Sequence, residues 1–310
     1  MRVVVALGGN ALSPAGGDGS VEELRAALRA TAEPLAELVV DGVSLVLTHG
    51  NGPQVGRILL QQELSAGEVP PMPMDVCGAE SQGQLGYLLA QAMDNALRAR
   101  GVTAGVLTLV TQVLVDGRDP AFRRPAKPVG PSYDRPVAQR IARESGHVFA
   151  IQPSGRWRRV VASPLPVALV ESEALVGLVA AGHVVVAAGG GGVPVVEHAG
   201  QLHGVEAVVD KDRTAALLAR SVGADQLLVL TEVDRVQVGF GTPSARPLSQ
   251  VTVTEARALL AAGELPEGSM GPKVEACIEV VEAGGGAAIG ALAEVAAVLR
   301  GDAGTRVVPG

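Results

Sequence analysis

The sequence contains few of the residues that support several common kinds of site. Its only two cysteines, Cys77 and Cys277, lie far apart and match no metal-binding or disulfide spacing. We therefore expect a reducing, cytoplasmic environment. Only three of the 25 basic residues are lysines, and none of the three follows a glycine. This excludes a Walker A loop, in which a glycine and a lysine are adjacent.

The chain also lacks an uninterrupted membrane-spanning run. Residues 174–196 are apolar and long enough to cross a bilayer, but His183 and four consecutive glycines interrupt them. The N-terminal apolar run before the first glycines is too short for a signal peptide and has the pattern of a strand. The formal charge of −7 argues against a surface that coats nucleic acid. We expect no membrane insertion and no nucleic-acid partner.

Strand-like apolar runs alternate with stretches of helical periodicity. The strand-like runs are 3–7, 43–48, 105–114, 184–188, 227–231 and 287–292. The clearest helical stretches are 20–41, 80–100 and 272–283. This alternation predicts an α/β protein with a mostly parallel sheet that is covered by helices on both faces.

Residues 116–160, which we call the excursion, break this alternation. They carry ten Lys or Arg against four Asp or Glu, a net charge of +6, so the rest of the chain sums to −13. They also hold six of the 20 prolines and four of the six aromatic residues. The composition predicts an inserted irregular or hairpin segment that places positive charge at a specific location. A nucleic-acid-binding module is an alternative, but the prolines would break the strands of an RRM platform.

Three glycine-rich turns follow predicted strands, at 7–10, 49–56 and 189–192. Such turns place backbone N–H groups at the carboxyl edge of a parallel sheet, where α/β proteins bind anions. The segment "GNGPQVG" is similar to a dinucleotide fingerprint. However, its third glycine is displaced, Pro53 lies inside it, and the following region is rich in proline. A nicotinamide-dependent dehydrogenase is therefore disfavoured.

Each lysine lies among Gly, Pro or Asp residues rather than on a polar helix face: Lys127 in "AKPVGP", Lys211 in "VDKD" and Lys273 in "GPKVEA". A lysine at a helix start opposes the helix dipole, so Lys211 is either a solvated charge beside a capping Asp or a phosphate ligand. Pro272 can occupy the first position of a helix. In that case Lys273 lies near free backbone donors.

The order of the motifs is similar to that of the carbamate kinase family, within the amino acid kinase superfamily, over essentially all 310 residues. The motifs are "ALGGNAL", "THGNGPQVG", "DVCGAESQGQLGY", "DPAFRRPAKPVGP", "GGGGVPVV", "GVEAVVDKD", "LTEVD", "FGTPSARPL" and "GSMGPKVEA". The resemblance implies an open, mostly parallel eight-stranded sheet sandwiched by helices, with a protruding hairpin-like insertion, and a homodimer. It implies reversible phosphoryl transfer between ATP and carbamate, with ATP synthesis from carbamoyl phosphate as the expected physiological direction and arginine metabolism as the expected context; supply from purine-derived carbamoyl phosphate is an open alternative.

The resemblance also divides the chain into two lobes. Residues 1–223, including the excursion, would form the carbamate lobe, and residues 224–310 would form the nucleotide lobe. ATP or ADP would be a substrate, and Mg²⁺ would bind mainly through its phosphates, without a metal site of protein carboxylates. A carbamate oxygen is already anionic, so its attack on phosphorus needs no general base. This agrees with five histidines that form no base-and-orienter set.

The resemblance further implies roles for individual residues. Lys211 and Lys273 would hold phosphate oxygens, Asp212 would fix the geometry of the lysines, and Lys127 would reach over carbamate. The residues expected to face carbamate and the phosphoryl group in transfer are Gly8, Gly9, Asn10, Gly50, Asn51 and Gly52. The residues expected in the nucleotide pocket are Thr231, Val233, Ser269 and Met270.

The chain departs from the family pattern at Ala162, where a proline is usual, and at Leu165, where a lysine is usual. The segment before Trp157 is also shortened. We expect these departures to affect the rate constants rather than the reaction, because the core motifs are unchanged. A related amino acid kinase that phosphorylates acetylglutamate, aspartate or glutamate remains an alternative, because sequence alone does not measure the volume of the acceptor pocket.

Overall fold

The computed structural model describes residues 1–9, 12, 17, 19–266 and 268–310. The strands are β1 (Arg2–Leu7), β2 (Ser44–His49), β3 (Val106–Leu109), β4 (Gln112–Val115), β5 (Lys127–Tyr133), β6 (Phe149–Ile151), β7 (Trp157–Val161), β8 (Pro166–Leu169), β9 (Val184–Ala187), β10 (Val193–His198), β11 (Gln201–Gly204), β12 (Gln226–Thr231), β13 (Gln237–Val238), β14 (Arg246–Pro247), β15 (Gln250–Thr252), β16 (Gly286–Ala291) and β17 (Thr305–Val308). The α-helices are α1 (Val21–Val40), α2 (Gly52–Ser65), α3 (Met74–Ala99), α4 (Arg135–Ser145), α5 (Ser172–Ala180), α6 (Lys211–Ser221), α7 (Val253–Ala261), α8 (Met270–Glu282) and α9 (Val295–Arg300).

The central sheet has eight strands in the order β15-β17-β16-β12-β1-β2-β9-β3. All neighbouring pairs are parallel except β16 and β17, which are antiparallel. Strand β1 shows why the sheet forms: Val4 and Ala6 enter one core cluster, and Val3, Val5 and Leu7 enter the other. A strand that is buried on both faces needs such a continuous apolar run. The predicted fold class is confirmed.

The apolar run 105–114 was predicted as one strand, and the structure corrects this. The run divides into β3, at the edge of the main sheet, and β4, in a second sheet of order β11-β10-β4-β8. At the break, the backbone of the buried Thr111 exchanges two hydrogen bonds with the Gln82 side chain, at 3.0 and 3.2 Å. These bonds satisfy the backbone groups that leave one sheet before the next begins.

The apolar stretch 174–196 is also divided among several elements. It contributes most of α5, all of β9, a glycine turn and the start of β10. Within the described residues, no helix combines the length and the apolar character that crossing a membrane requires.

The excursion is more regular than the sequence predicted. It forms a three-stranded antiparallel sheet, β5-β7-β6, with α4 inserted between β5 and β6. A small apolar cluster attaches this sheet to the helices beside the central sheet. In it, Val129 of β5 and Val161 of β7 pack with Val55 of α2 and Cys77 of α3. As a result, β5 lies beside α2 at the carboxyl edge of the main sheet.

Candidate active site

The turns after the parallel strands β1, β2 and β9 meet at the carboxyl edge of the main sheet. There they border a cavity of about 700 Å³, enclosed by the first turns of α2, α6 and α8 and by β5 of the excursion. Gly9, Gly50, Gly52 and Gly190 contribute backbone to its wall. Three helix N-termini and several glycine turns therefore meet at one cleft, and the positive ends of the helix dipoles there suit an anionic ligand.

The glycine turns are closely packed. A side chain at Gly50 would come within 3.3 Å of Gly9 and 3.5 Å of Lys211, so the turns after β1 and β2 are in contact beside that lysine. Gly191 has φ of +94°, and a Cβ there would lie 2.1 Å from the carbonyl oxygen of Val209. Only glycine fits that position, because both the backbone conformation and the space exclude a side chain.

Asp212 organises two of the three lysines. It is 3% exposed, and its Oδ1 and Oδ2 accept hydrogen bonds from Lys211 Nζ at 2.6 Å and Lys273 Nζ at 2.8 Å. Burial lowers the pKa of Lys211, against the opposing charge of Asp212. The lysine is therefore not the solvated charge of the simpler interpretation. One carboxylate holds two ammonium groups side by side, leaving a net positive charge at this point.

Asp210, rather than Asp212, is the helix cap. Its Oδ1 accepts from the backbone N–H of Asp212 at 2.9 Å, and its Oδ2 accepts from Lys127 Nζ at 2.8 Å. Burial by itself would raise the pKa of Asp210, but the charge and hydrogen bond of Lys127 hold that pKa below its ordinary value. The excursion is thus tied to the start of α6 through its lysine.

Helix α8 begins two residues earlier than predicted. Its first residue is Met270, with Ser269 as the N-cap, so Pro272 occupies the third position and not the first. Lys273 still lies close to the start of the helix and lines the cleft. The Ser269 side chain makes no capping hydrogen bond. Ser269 lines the cleft, whereas Met270 packs against the apolar core.

Nine of the fourteen predicted site residues line this cleft: Gly9, Gly50, Asn51, Gly52, Lys127, Lys211, Asp212, Ser269 and Lys273. Gly8 lies just outside it and donates its N–H to Leu230 at the end of β12. Thr231, Val233 and Met270 are not among the lining residues, and their assignment to a nucleotide pocket stays a prediction. Asn10 falls outside the described residues.

Asn51 is held by a residue that was not singled out from the sequence. Its Nδ2 donates to Oγ of Ser81 at 2.7 Å, and Ser81 is fully buried in α3. On its other side, Gly190 approaches so closely that a Cβ there would lie 2.1 Å from the Asn51 side chain. The Asn51 amide is therefore fixed between α3 and the glycine turn after β9.

Two arginines that line the cleft, Arg57 of α2 and Arg158 of β7, were also missed. The only sequence signal for Arg158 was its membership of the basic excursion. Because successive side chains of a strand point to opposite faces, Arg158 and Arg159 are predicted on different faces of β7. The sequence does not show which of the two faces meets the cleft.

His49, at the end of β2, lies behind the cleft. It is 1% exposed, and its Nδ1 lies 2.9 Å from the Gly50 carbonyl oxygen. Burial lowers the pKa of His49 to about 4; the Gly50 carbonyl opposes this shift and the Lys211 charge adds to it. The imidazole is therefore neutral near pH 7 and supports the Gly50 turn. Among the described residues, no group of three His, Cys, Asp or Glu could hold a metal ion.

Comparison with known proteins gives consistent results. The model of the amino acid kinase family matches residues 1–289. The chain is 48% identical over 314 residues to the carbamate kinase of Thermococcus kodakarensis, covering 99% of each chain. It is 50% identical over 307 residues to that of Halobacterium salinarum, covering 99% of this chain and 98% of the relative. The structure of Giardia lamblia carbamate kinase bound to AMP-PNP superposes with a TM-score of 0.94 at 39% identity, covering 100% of this chain and 98% of that one.

Proposed function

Because this chain belongs to the amino acid kinase family, and matches carbamate kinases over nearly its whole length, we propose that its cleft transfers a phosphoryl group between ATP and carbamate. The chain is a phosphotransferase with a carboxyl-type acceptor. Within the cleft, the proposal rests on the buried Asp212, whose carboxylate holds Lys211 and Lys273 side by side.

Phosphoryl transfer needs in-line positioning and cancellation of the charge that develops on phosphate oxygens. Among the described residues that line the cleft, five side chains are cationic and two are carboxylates, which gives a net charge of +3. In our proposal Lys211 and Lys273 bind the oxygens of the group in transfer, and Asp212 keeps both ammonium groups in place. Carbamate brings its own anionic oxygen, so no residue has to remove a proton.

The remaining roles follow from position. We propose that the glycine turns donate backbone N–H groups to the transferred phosphate, and that Lys127 covers the carbamate side. Residues 1–223 would form the acceptor lobe and residues 224–310 the nucleotide lobe, with Lys273 as the contribution of the second lobe. We further propose a cytoplasmic homodimer that works towards ATP synthesis, in keeping with the family resemblance.

Magnesium would enter with the nucleotide. Each of the four carboxylate oxygens of Asp210 and Asp212 already accepts a hydrogen bond from the chain. No other carboxylate is among the described residues that line the cleft. These groups fit a Mg²⁺ ion that is held through phosphates and water rather than by protein carboxylates. When bound, the ion would neutralise charge on the phosphate oxygens.

The hydrogen bonds that already occupy Asp210 and Asp212 also favour carbamate over an amino acid as the acceptor. Aspartate or glutamate carries an α-ammonium group, which loses its hydration in a cleft and needs an anionic partner there. The carboxylates that line the described part of the cleft are occupied by lysines and by a backbone N–H. The α-ammonium group of an amino-acid substrate would therefore meet a net positive charge.

A coupled assay tests the proposal. We expect the purified protein to form ATP from ADP and carbamoyl phosphate, and to stop when EDTA removes Mg²⁺. In the opposite direction, carbamate should accept phosphate from ATP, whereas acetylglutamate, aspartate and glutamate should not. Turnover of any of these three at the rate for carbamate would refute the assignment.

A further inference from the structure

The cationic side chains of the cleft differ in whether a carboxylate already neutralises them. Lys127 pairs with Asp210, and Lys211 and Lys273 share Asp212. The exposed Arg57 forms no ion pair among the described residues and donates to the Gly19 carbonyl oxygen. Arg158 lines the same cleft and likewise forms no ion pair among the described residues. It is half-buried, and burial lowers the pKa of its guanidinium. A half-buried positive charge without an anionic partner is costly unless a ligand supplies the anion.

The hydrogen bonds of Arg158 leave part of its guanidinium unused. Its Nε and Nη2 both donate to the carbonyl oxygen of Gly130, at 3.1 and 2.8 Å. Gly130 lies in β5 where the register with β7 shifts, between Val129 and Ser132. A guanidinium has five N–H donors in a fixed plane, so the Gly130 carbonyl aligns the group and leaves the other donors available.

Two arginines that neighbour Arg158 in the sequence are arranged differently. Arg156 is exposed and forms an ion pair with Asp134 at 3.0 Å, and Arg159 forms one with Glu206. Neither lines the cleft. Of the three arginines in 156–159, the one at the cleft is the one that lacks a carboxylate.

We propose that Arg158 is a substrate-binding residue that takes an oxyanion of the acceptor, a carboxylate or phosphate oxygen, through the donors that Gly130 leaves free. The proposal rests on the proposed function and adds to it a residue and a contact. Guanidinium groups bind such oxygens in pairs of parallel hydrogen bonds, which fix orientation as well as position. Arg158 would thus give the basic excursion a second specific contact with substrate besides Lys127.

The test compares Arg158→Gln with Arg158→Lys and with the matched control Arg156→Gln. Gln retains a donor for the Gly130 carbonyl and removes the charge. We expect Arg158→Gln to raise the KM for carbamoyl phosphate at least tenfold, with the KM for ADP and the Tm close to those of Arg156→Gln. Arg158→Lys should give an intermediate KM, because it keeps the charge and loses the paired geometry.

A second measurement does not depend on turnover. Millimolar inorganic phosphate or bicarbonate should raise the Tm of the wild type, and Arg158→Gln should reduce that shift for at least one of the two anions. Unchanged shifts for both anions, or equal KM values in Arg158→Gln and Arg156→Gln, would overturn the proposal. So would a fall in Tm for both Arg158 variants with kinetic losses that only follow the fraction unfolded. A wild type that forms no ATP from carbamoyl phosphate would instead refute the proposed function.

Discussion

The substitution Asp212→Asn separates the role of Asp212 in catalysis from its role in stability. An asparagine of the same shape can accept a hydrogen bond from one lysine through its oxygen, but its amide presents N–H donors to the other. One of the two ammonium groups, now 2.6 and 2.8 Å from the carboxylate oxygens, would lose its partner. The change removes a single charge and leaves the volume of the side chain almost unaltered.

The magnitude follows from burial. Removing one partner of a buried ion pair destabilises a protein by about 3–5 kcal/mol. We expect the lower end, about 3 kcal/mol, because the side chains of Lys211 and Lys273 are 15% and 13% exposed at the cleft, where water can reach an ammonium group that loses its partner. Loss of an oriented charge at a transition state costs a factor of about 10²–10³ in rate. We therefore expect kcat for ATP formation to fall by that factor, beyond any loss of folded protein.

Urea unfolding at pH 7 and kcat for ATP formation measure the two effects on the same samples. The double variant Asp212→Asn/Lys211→Met removes the unpaired ammonium, so it should recover stability without recovering activity. Asp134→Asn is the control, because Asp134 lies at the N-terminus of α4 and forms an ion pair but, unlike the buried Asp212, is exposed. The reasoning fails if Asp212→Asn lowers stability while the folded fraction keeps the kcat of the wild type.

Two further predictions concern Lys127 and His49. Lys127→Ala should raise the KM for carbamoyl phosphate by about tenfold or more with only a modest fall in Tm, because Asp210 loses its ion-pair partner but keeps the Asp212 N–H and its place at the N-terminus of α6. The exposed Arg123→Ala should have a smaller effect on KM that fades with added salt, and equal, salt-erased losses would contradict a specific role. The pKa of His49 lies at about 4 in the folded protein, below the usual value of about 6.5. Between those values the unfolded chain binds the proton and the folded protein does not. The free energy of unfolding therefore keeps its full value above pH 6.5, and it falls by about 1.4 kcal/mol per pH unit as the pH is lowered from 6.5 towards 4. Urea unfolding at pH 7 and 5 should show a smaller pH dependence for His49→Gln than for the wild type, and an identical dependence would refute the assignment.

The sequence by itself determined the inner strands of the central sheet and the edge of the sheet at which the site lies. The apolar runs of β1, β2, β9 and β12 carry their own signal, because a strand buried on both faces must be apolar throughout. Glycine turns that follow such strands necessarily meet at one edge of a parallel sheet. For that reason the turns that contain Gly9 and Gly50 could be located at the cleft from the sequence pattern, whereas the assignment of the lysines, Asp212 and Ser269 to the site came from the family resemblance.

Only the tertiary structure decided where the chain passes from the central sheet to the second sheet. The run 105–114 is uniformly strand-like, and nothing in its periodicity marks the break at Thr111. The break depends on Gln82 of α3, which satisfies the backbone there from 29 residues away in sequence. The short edge strands β15 and β17 were likewise not predicted, because brief half-buried segments have too few residues for a clear period.

The partners of the charges were also decided by the tertiary structure. Lys127 meets Asp210 across 83 residues, and Lys273 meets Asp212 across 61 residues. The local pattern placed all three lysines near turns but did not distinguish the capping Asp210 from the buried Asp212, which only the family resemblance assigned to the lysines, and it did not distinguish Arg158 from Arg156. Strand and helix patterns arise from hydrogen bonds and burial among near neighbours in the chain. Ion pairs depend on distances of a few ångströms between side chains, and these distances exist only after the sheet, the excursion and the helix N-termini have packed together.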